Sequence, residues 1–142
     1  MKGKIYDLKE RTYAYAVSVV KFLDLLPKDG MTQTLGKQLL RSATSVGANV
    51  AEARASSSKK DFTNCYNNSL KSANESRFWF TLLVDTDKAS KEAVAPLLQE
   101  TNELANILAT SILTLKGKRH ISPLLSCCLG FALCFLCITF AF

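Results

Sequence analysis

Leu39-Leu-Arg-Ser-Ala-Thr-Ser-Val-Gly-Ala-Asn-Val-Ala-Glu-Ala53, followed at once by Ser56-Ser-Ser-Lys-Lys-Asp-Phe62, is the stretch from which the rest of the chain can be read. Small residues (Ser42, Ala43, Ser45, Gly47, Ala48, Ala51) sit among a few large ones (Leu39, Leu40, Val46, Val50). A helix of this composition lets a neighbouring backbone approach closely, and Asn49 and Glu52, three apart, share one of its faces. Ser58 stands three residues before Asp61, a capping pattern that starts a new helix after a short polar break. The stretch therefore predicts helix, turn, helix.

Working outward, residues 5–26 place Ile5, Leu8, Thr12, Tyr15, Val19, Phe22 and Leu26 at spacings of three and four. That period is an amphipathic helix with a coiled-coil-like stripe. Pro27-Lys-Asp-Gly30 ends it, because proline disfavours helix before it and glycine accepts the turn. Thr32 or Thr34 is the expected cap of the second helix, which extends to about Ala55. The third helix, from about Lys59 to Val84, is expected to bury Phe62, Tyr66, Leu70, Ala73, Phe80 and Val84. Asp85-Thr-Asp-Lys-Ala89 reads as a turn, and Ser90 as the cap of a fourth helix with the stripe Val94, Leu97, Thr101, Leu104, Leu108, Ile112 and Leu115. Pro96 lies about six residues in, too deep for a first turn, so a kink or a later start is expected. Four long helices, short connections and no strand candidate predict an all-α, antiparallel up-and-down four-helix bundle with a hydrophobic C-terminal extension.

The chain has 142 residues and a net charge of +6. Every Lys, Arg, Asp and Glu precedes Ile121, so the charge belongs to the bundle. The chain divides into a bundle at residues 1–119 and a hydrophobic tail at residues 120–142. A basic surplus suits a polyanion partner, nucleic acid or an anionic membrane; it also suits simple solubility. Met1-Lys-Gly-Lys4 is not followed by an apolar run, so no secretory signal is read. One cysteine, Cys65, lies in the bundle and four (Cys127, Cys128, Cys134, Cys137) crowd the tail, which is no disulfide framework. The bundle reads as cytoplasmic.

Three segments carry a resemblance: Gln38 to Ala53, Ser58-Lys-Lys-Asp-Phe62, and Lys71-Ser-Ala-Asn-Glu-Ser-Arg-Phe-Trp79. In order and spacing they resemble the bacterial four-helix-bundle family of 23S ribosomal-RNA intervening-sequence proteins, with which the accessory protein of diversity-generating retroelements is grouped. The resemblance covers residues 5 to 117. It implies an up-and-down bundle assembled as a ring-like homopentamer, without known enzymatic activity. The retroelement relative implies a basic surface that binds nucleic acid and a reverse-transcriptase partner. Residues 121–142 have no counterpart in the family pattern.

Asn49, Glu52, Asn74 and Glu75 are the polar residues nearest the predicted seams. As metal ligands they lack the Glu-x-x-His pairs of a di-iron bundle, since the single histidine is His120. The simpler reading is a structural polar network, with Glu52 or Glu75 meeting Arg41 or Arg77. Cys65 has no histidine in the bundle to activate it and reads as a small buried residue. Gly47 stands alone, so there is no phosphate-binding glycine loop. No enzyme, cofactor or metal is expected.

The basic candidates are Lys37 and Arg41, four apart on one face, and Lys59 and Lys60 at the start of the third helix, with Lys71 and Arg77 beyond. Their spacing would track phosphates, and an oligomer would repeat the patch. The competing reading is a solvated surface with local ion pairs, such as Lys59 or Lys60 with Asp61. Phe78-Trp79-Phe80 must point in several directions on a helix. A base-stacking platform competes here with a subunit interface; the interface, through Phe78 and Trp79, is favoured.

Leu124 to Phe142 is nineteen residues without charge, roughly 28 Å as a helix, close to a bilayer core of about 30 Å. Lys116, Lys118, Arg119 and His120 would form its positive cytoplasmic flank. A membrane anchor and a non-functional extension both account for it. Cys134-x-x-Cys137 lacks the second pair that zinc requires. The sequence thus supports a non-enzymatic, homo-oligomeric scaffold that binds nucleic acid through Lys37, Arg41, Lys59 and Lys60. The second hypothesis is a membrane-tethered interaction module.

Overall fold

The structure is a computed structural model that describes residues 7–117. Four helices account for most of them: α1 (Leu8–Asp24), α2 (Gly30–Ala53), α3 (Lys59–Asp85) and α4 (Lys91–Leu115), with no strand among the described residues. Each connection is five residues, too short for anything but an antiparallel neighbour. Contacts across the seams confirm the direction. Ser42 of α2 meets Ser76 of α3 while Val46 meets Ser69, one number rising as the other falls. The chain is an antiparallel four-helix bundle.

Polar side chains start each helix by accepting the amide protons that helix geometry leaves free. Asp7 accepts from the Lys9 amide, and Ser58 accepts from the Asp61 amide at 3.1 Å. Ser90 accepts from the Ala93 amide at 3.2 Å. The cap of α2 is Asp29, not Thr32 or Thr34. Asp29 has the extended backbone a cap needs (φ −72°, ψ 154°), and its carboxylate accepts the Met31 and Thr32 amides. Thr32 donates its hydroxyl to the same carboxylate at 2.6 Å, and Thr34 turns back to the Gly30 carbonyl. The Thr32 hydroxyl and amide, with Lys88 at 3.6 Å, hold the Asp29 carboxyl down to about 2. α4 starts at Lys91 despite Pro96, which lies inside the helix on its exposed side.

The stripes read for the outer two helices of the sequence face inward. Thr12, Tyr15, Val19, Phe22 and Leu26 are buried from α1 and the turn after it, and Val94, Thr101, Leu104, Leu108 and Ile112 from α4. Leu8, Leu97 and Leu115 are half-buried. Burying each large apolar side chain contributes about 1.5–3 kcal/mol, offset by the entropy of ordering it.

In α3 Ala73 and Phe80 are buried as the sequence predicts, but the buried line through them runs along different neighbours. The buried line is Cys65, Ser69, Ala73, Ser76, Phe80 and Leu83. Phe62, Tyr66, Leu70 and Val84, expected in the core, are half-buried on its flank. The reason lies in α2, whose buried face sets the small Ser42 and Ala43 between Leu39 and Val46. It brings the α3 backbone so close that small side chains fit between them. Ser69 Oγ donates to the Val46 carbonyl at 2.9 Å, and the Ser76 and Ser42 hydroxyls lie 2.9 Å apart. The displaced rings of Phe62 and Tyr66 stack on each other, centroids 4.5 Å apart. Phe80 alone of the large α3 rings reaches the centre, against Phe22 at 5.9 Å.

Candidate nucleic-acid interface

α3 begins where α4 ends, because the two are antiparallel neighbours. This places Lys59 and Lys60, the first two residues of α3, beside Lys116, the residue that caps α4. With Thr63, Asn64 and Asn67 they line an open concavity of about 510 Å³. Both α3 lysines are exposed, and among the described residues neither pairs with Asp61, the partner expected from sequence. Cations in a first helical turn face the positive end of the helix dipole, so they cost stability there; an anion in the concavity relieves both. Arg54, at the same end of the bundle, is already engaged: it donates to both Asp7 oxygens at 2.8 and 2.7 Å. That contact holds the Asp7 carboxyl below the usual carboxylate range.

Lys37 and Arg41 do not join this cluster. They project from the first half of α2, and twelve residues separate Arg41 from the end of that helix at Ala53, about 18 Å at 1.5 Å per residue. Lys37 instead borders a separate concavity with Leu23, Pro27, Gly36 and Leu40. Arg41 is exposed and lies 3.3 Å from a Glu75 oxygen. The four basic candidates therefore form two patches. Lys116, taken in the sequence only as the flank of the tail, belongs to one of them. Its signal was its place directly after Leu115, the last stripe residue of α4.

The four polar candidates separate in the same way. Asn49 is half-buried and donates within its own helix, to the Ser45 carbonyl at 2.8 Å. Glu52 and Asn74 are exposed, and among the described residues neither makes a side-chain hydrogen bond. Only Glu75 crosses a seam, accepting from Arg41 and from the Trp79 indole N–H at 3.4 Å. Arg77 reaches Asn102 of α4.

The aromatic triplet divides three ways. Phe80 is in the core, Trp79 is half-buried against it, and Phe78 is 57% exposed with its ring edge-on to Trp79, centroids 4.9 Å apart. Cys65 is buried, its sulfur 3.9 Å from the Ser56 hydroxyl. Among the described residues no three His, Cys, Asp or Glu side chains gather to hold a metal ion, and no helix is long and apolar enough to cross a membrane. The hydrophobic tail, with Lys118, Arg119, His120 and the Cys134-x-x-Cys137 pair, lies outside the described residues, as does the boundary between bundle and tail.

Comparison with known proteins bears on all of this. No curated protein matches the chain. Among solved structures it is similar to a crystal structure of a protein of unknown function from the S23 ribosomal protein family of Bacteroides thetaiotaomicron VPI-5482. The identity is 33% over 75% of this chain and 98% of that one, with a TM-score of 0.70. The model of the family described as 23S rRNA-intervening sequence protein matches residues 5–110. With three quarters of its length under that model and the same four-helix architecture in a solved member of the S23 family, the chain belongs to the 23S rRNA-intervening sequence protein family.

Proposed function

We propose that this bundle is a non-enzymatic scaffold that binds nucleic acid through phosphate contacts at the end of the molecule where α3 begins and α4 finishes. The observation that carries the reading is the meeting of Lys59, Lys60 and Lys116 around one concavity, with two lysines held against the helix dipole. Such contacts are electrostatic and carry no base specificity of their own. Lys37 and Arg41 form a second, weaker patch, because Arg41 already faces Glu75. Self-association belongs to the same proposal: the apolar side chains of Leu25, Tyr13 and Met31 are 85%, 71% and 62% exposed, and a neighbouring copy would cover them.

The test is a salt titration of labelled RNA and DNA binding by the full-length chain, with sedimentation to read its mass. Three phosphate contacts per subunit predict a log–log salt slope of about −2 to −3. Lys59→Glu with Lys60→Glu should abolish binding; Lys37→Glu with Arg41→Glu should weaken it by a smaller factor. Absence of binding at low salt would make the basic surplus ordinary surface.

One feature favours a second reading. The uncharged segment Leu124–Phe142 follows in sequence the α4 terminus that contributes Lys116 to the basic concavity. As a membrane tether it would bring those lysines to anionic headgroups. Flotation with phosphatidylserine vesicles, with and without residues 121–142, separates this reading from the first.

A further inference from the structure

The outer side of α3 carries a pattern that folding does not require. Lys60, Asn64, Asn67, Lys71, Asn74 and Phe78 recur at spacings of four, three, four, three and four, a solvent-facing stripe opposite the buried line of Cys65, Ser69, Ala73, Ser76 and Phe80. Asn67 is half-buried and the others are exposed. Asparagine is among the poorer helix formers because its side chain competes for backbone groups. Elsewhere in the bundle Asn49 holds Ser45 and Asn102 accepts from Arg77, while Asn68 and Asn106, both off the stripe, make no side-chain hydrogen bond among the described residues. Among the described residues Asn64, Asn67 and Asn74 make no side-chain hydrogen bond, so three donor–acceptor amides stand unused in a row.

We infer that this stripe is a track for single-stranded nucleic acid; the inference rests on the proposed function and names the form of its ligand. The stripe starts in the basic concavity and runs from Lys60 to Phe78, eighteen residues or about 27 Å. Lys60 and Lys71, with Lys59 and Lys116 at the mouth, take phosphates. The asparagine amides, each both donor and acceptor, meet base edges. Phe78, 57% exposed, offers a ring on which a base stacks, in place of the subunit interface expected of it from sequence. Its orientation is prepared: Phe78 rests edge-on against Trp79, Trp79 donates to Glu75, and Glu75 is held by Arg41. No carboxylate lies on the stripe itself; Glu75 beside it faces Arg41.

A duplex suits this surface less well. Its base faces are closed by stacking, and α3 is flanked along its length by α2 and α4, so it does not project as a lone helix into a groove about 12 Å wide. Unpaired bases present both edges and faces.

The experiment is fluorescence anisotropy with the full-length chain and labelled oligo(U), oligo(dT) and a mixed-sequence duplex, each roughly 12 nucleotides or base pairs long. The single strands should bind at least about tenfold more tightly than the duplex. Asn64→Ala, Asn67→Ala and Asn74→Ala combined should weaken binding at least about tenfold while raising Tm by a few degrees, because alanine is the better helix former. Phe78→Ala should weaken binding about tenfold with the sedimenting mass unchanged. A preference for oligo(U) or oligo(dT) supports the track and identifies the natural strand as RNA or DNA.

Equal binding of duplex, or native affinity in the triple asparagine variant, overturns the track while leaving the basic concavity standing. A fall in sedimenting mass for Phe78→Ala makes that ring a subunit contact and also overturns it. If the native chain binds none of the three probes at low salt, the proposed function itself fails.

Discussion

Between α2 and α3 the backbones lie close enough for Ser42 and Ser76 to meet hydroxyl to hydroxyl, with Ser69 reaching the Val46 carbonyl. Between α1 and α4 the connection is made by long side chains. Arg11 grips Glu100 through two parallel hydrogen bonds, Nε to Oε1 at 2.7 Å and Nη2 to Oε2 at 2.8 Å, and also holds Glu103. Deeper in, the Thr101 hydroxyl meets Tyr15 Oη at 2.9 Å. A concavity of about 400 Å³ lies beside this clamp, lined by Arg11, Ala14, Tyr15, Ser18, Pro96, Leu97 and Glu100. The first seam is set by side-chain volume. The second is set by charge and hydrogen bonding and responds to solution conditions. A bundle can close its circuit of helices with both, because consecutive helices are already brought together by short turns, whereas α1 and α4 must find each other from opposite ends of the chain.

The sharpest way to break the contrast is to enlarge the small seam. Ser76→Leu places extra methylene groups where Ser42 now fits, and should cost about 1–3 kcal/mol, read by urea denaturation. A loss no greater than that of a surface substitution would show that the seam has room. Arg11→Ala should cost about 1–2 kcal/mol, because it leaves two neighbouring carboxylates without their shared partner in a half-exposed site. Added salt should shrink that difference while leaving the effect of Ser76→Leu unchanged; equal salt responses would erase the distinction between the seams. Thr101→Val keeps the shape and removes the hydroxyl facing buried Tyr15, for an expected loss of about 1 kcal/mol, independent of salt.

Smallest is the effect of acid at Asp29, outside both seams, where one carboxylate caps α2 and meets Lys88 of the α3–α4 turn. Its folded pKa of about 2 lies below its ordinary 3.8, so its contribution is present above pH 3.8 and fades as pH falls toward 2. Asp29→Ala should therefore lower Tm at neutral pH, and the gap to the native chain should close in that acid window. A constant gap across the range would assign the cap a purely steric role.

The seams also show which parts of the molecule could be read from residues. The α1 and α4 stripes were legible because each is a regular row of apolar groups whose inward phase admits one solution. The Ser58 and Ser90 caps were legible because each stands directly before its helix. Asp29 was overlooked in favour of the threonines behind it, although its position between Pro27 and Gly30 already places it outside the helix. α3 misled for a physical reason. Its large residues Phe62, Tyr66 and Leu70 sit on a helical period one position away from Cys65 and Ser69, and hydrophobicity alone ranks the larger set first. The closeness of α2 reversed that ranking.

For the candidate site, Lys59 and Lys60 were legible and their company was not. Charges four apart on one helix share a face, as Lys37 and Arg41 do, but local spacing does not relate that face to Lys59 and Lys60 on the next helix. Which cations face one another depends on how helices distant in sequence are aligned, and that alignment put Lys116 into the cluster and left Lys37 and Arg41 some 18 Å or more along the bundle. The sequence by itself determined the helices, their number and their antiparallel order, since these follow from local period, caps and loop length. The tertiary structure decided the phase of α3, the partner of Arg11, the use of Trp79 and the membership of the basic concavity. Each of these depends on the volume or charge presented by another helix, and no local pattern carries that information.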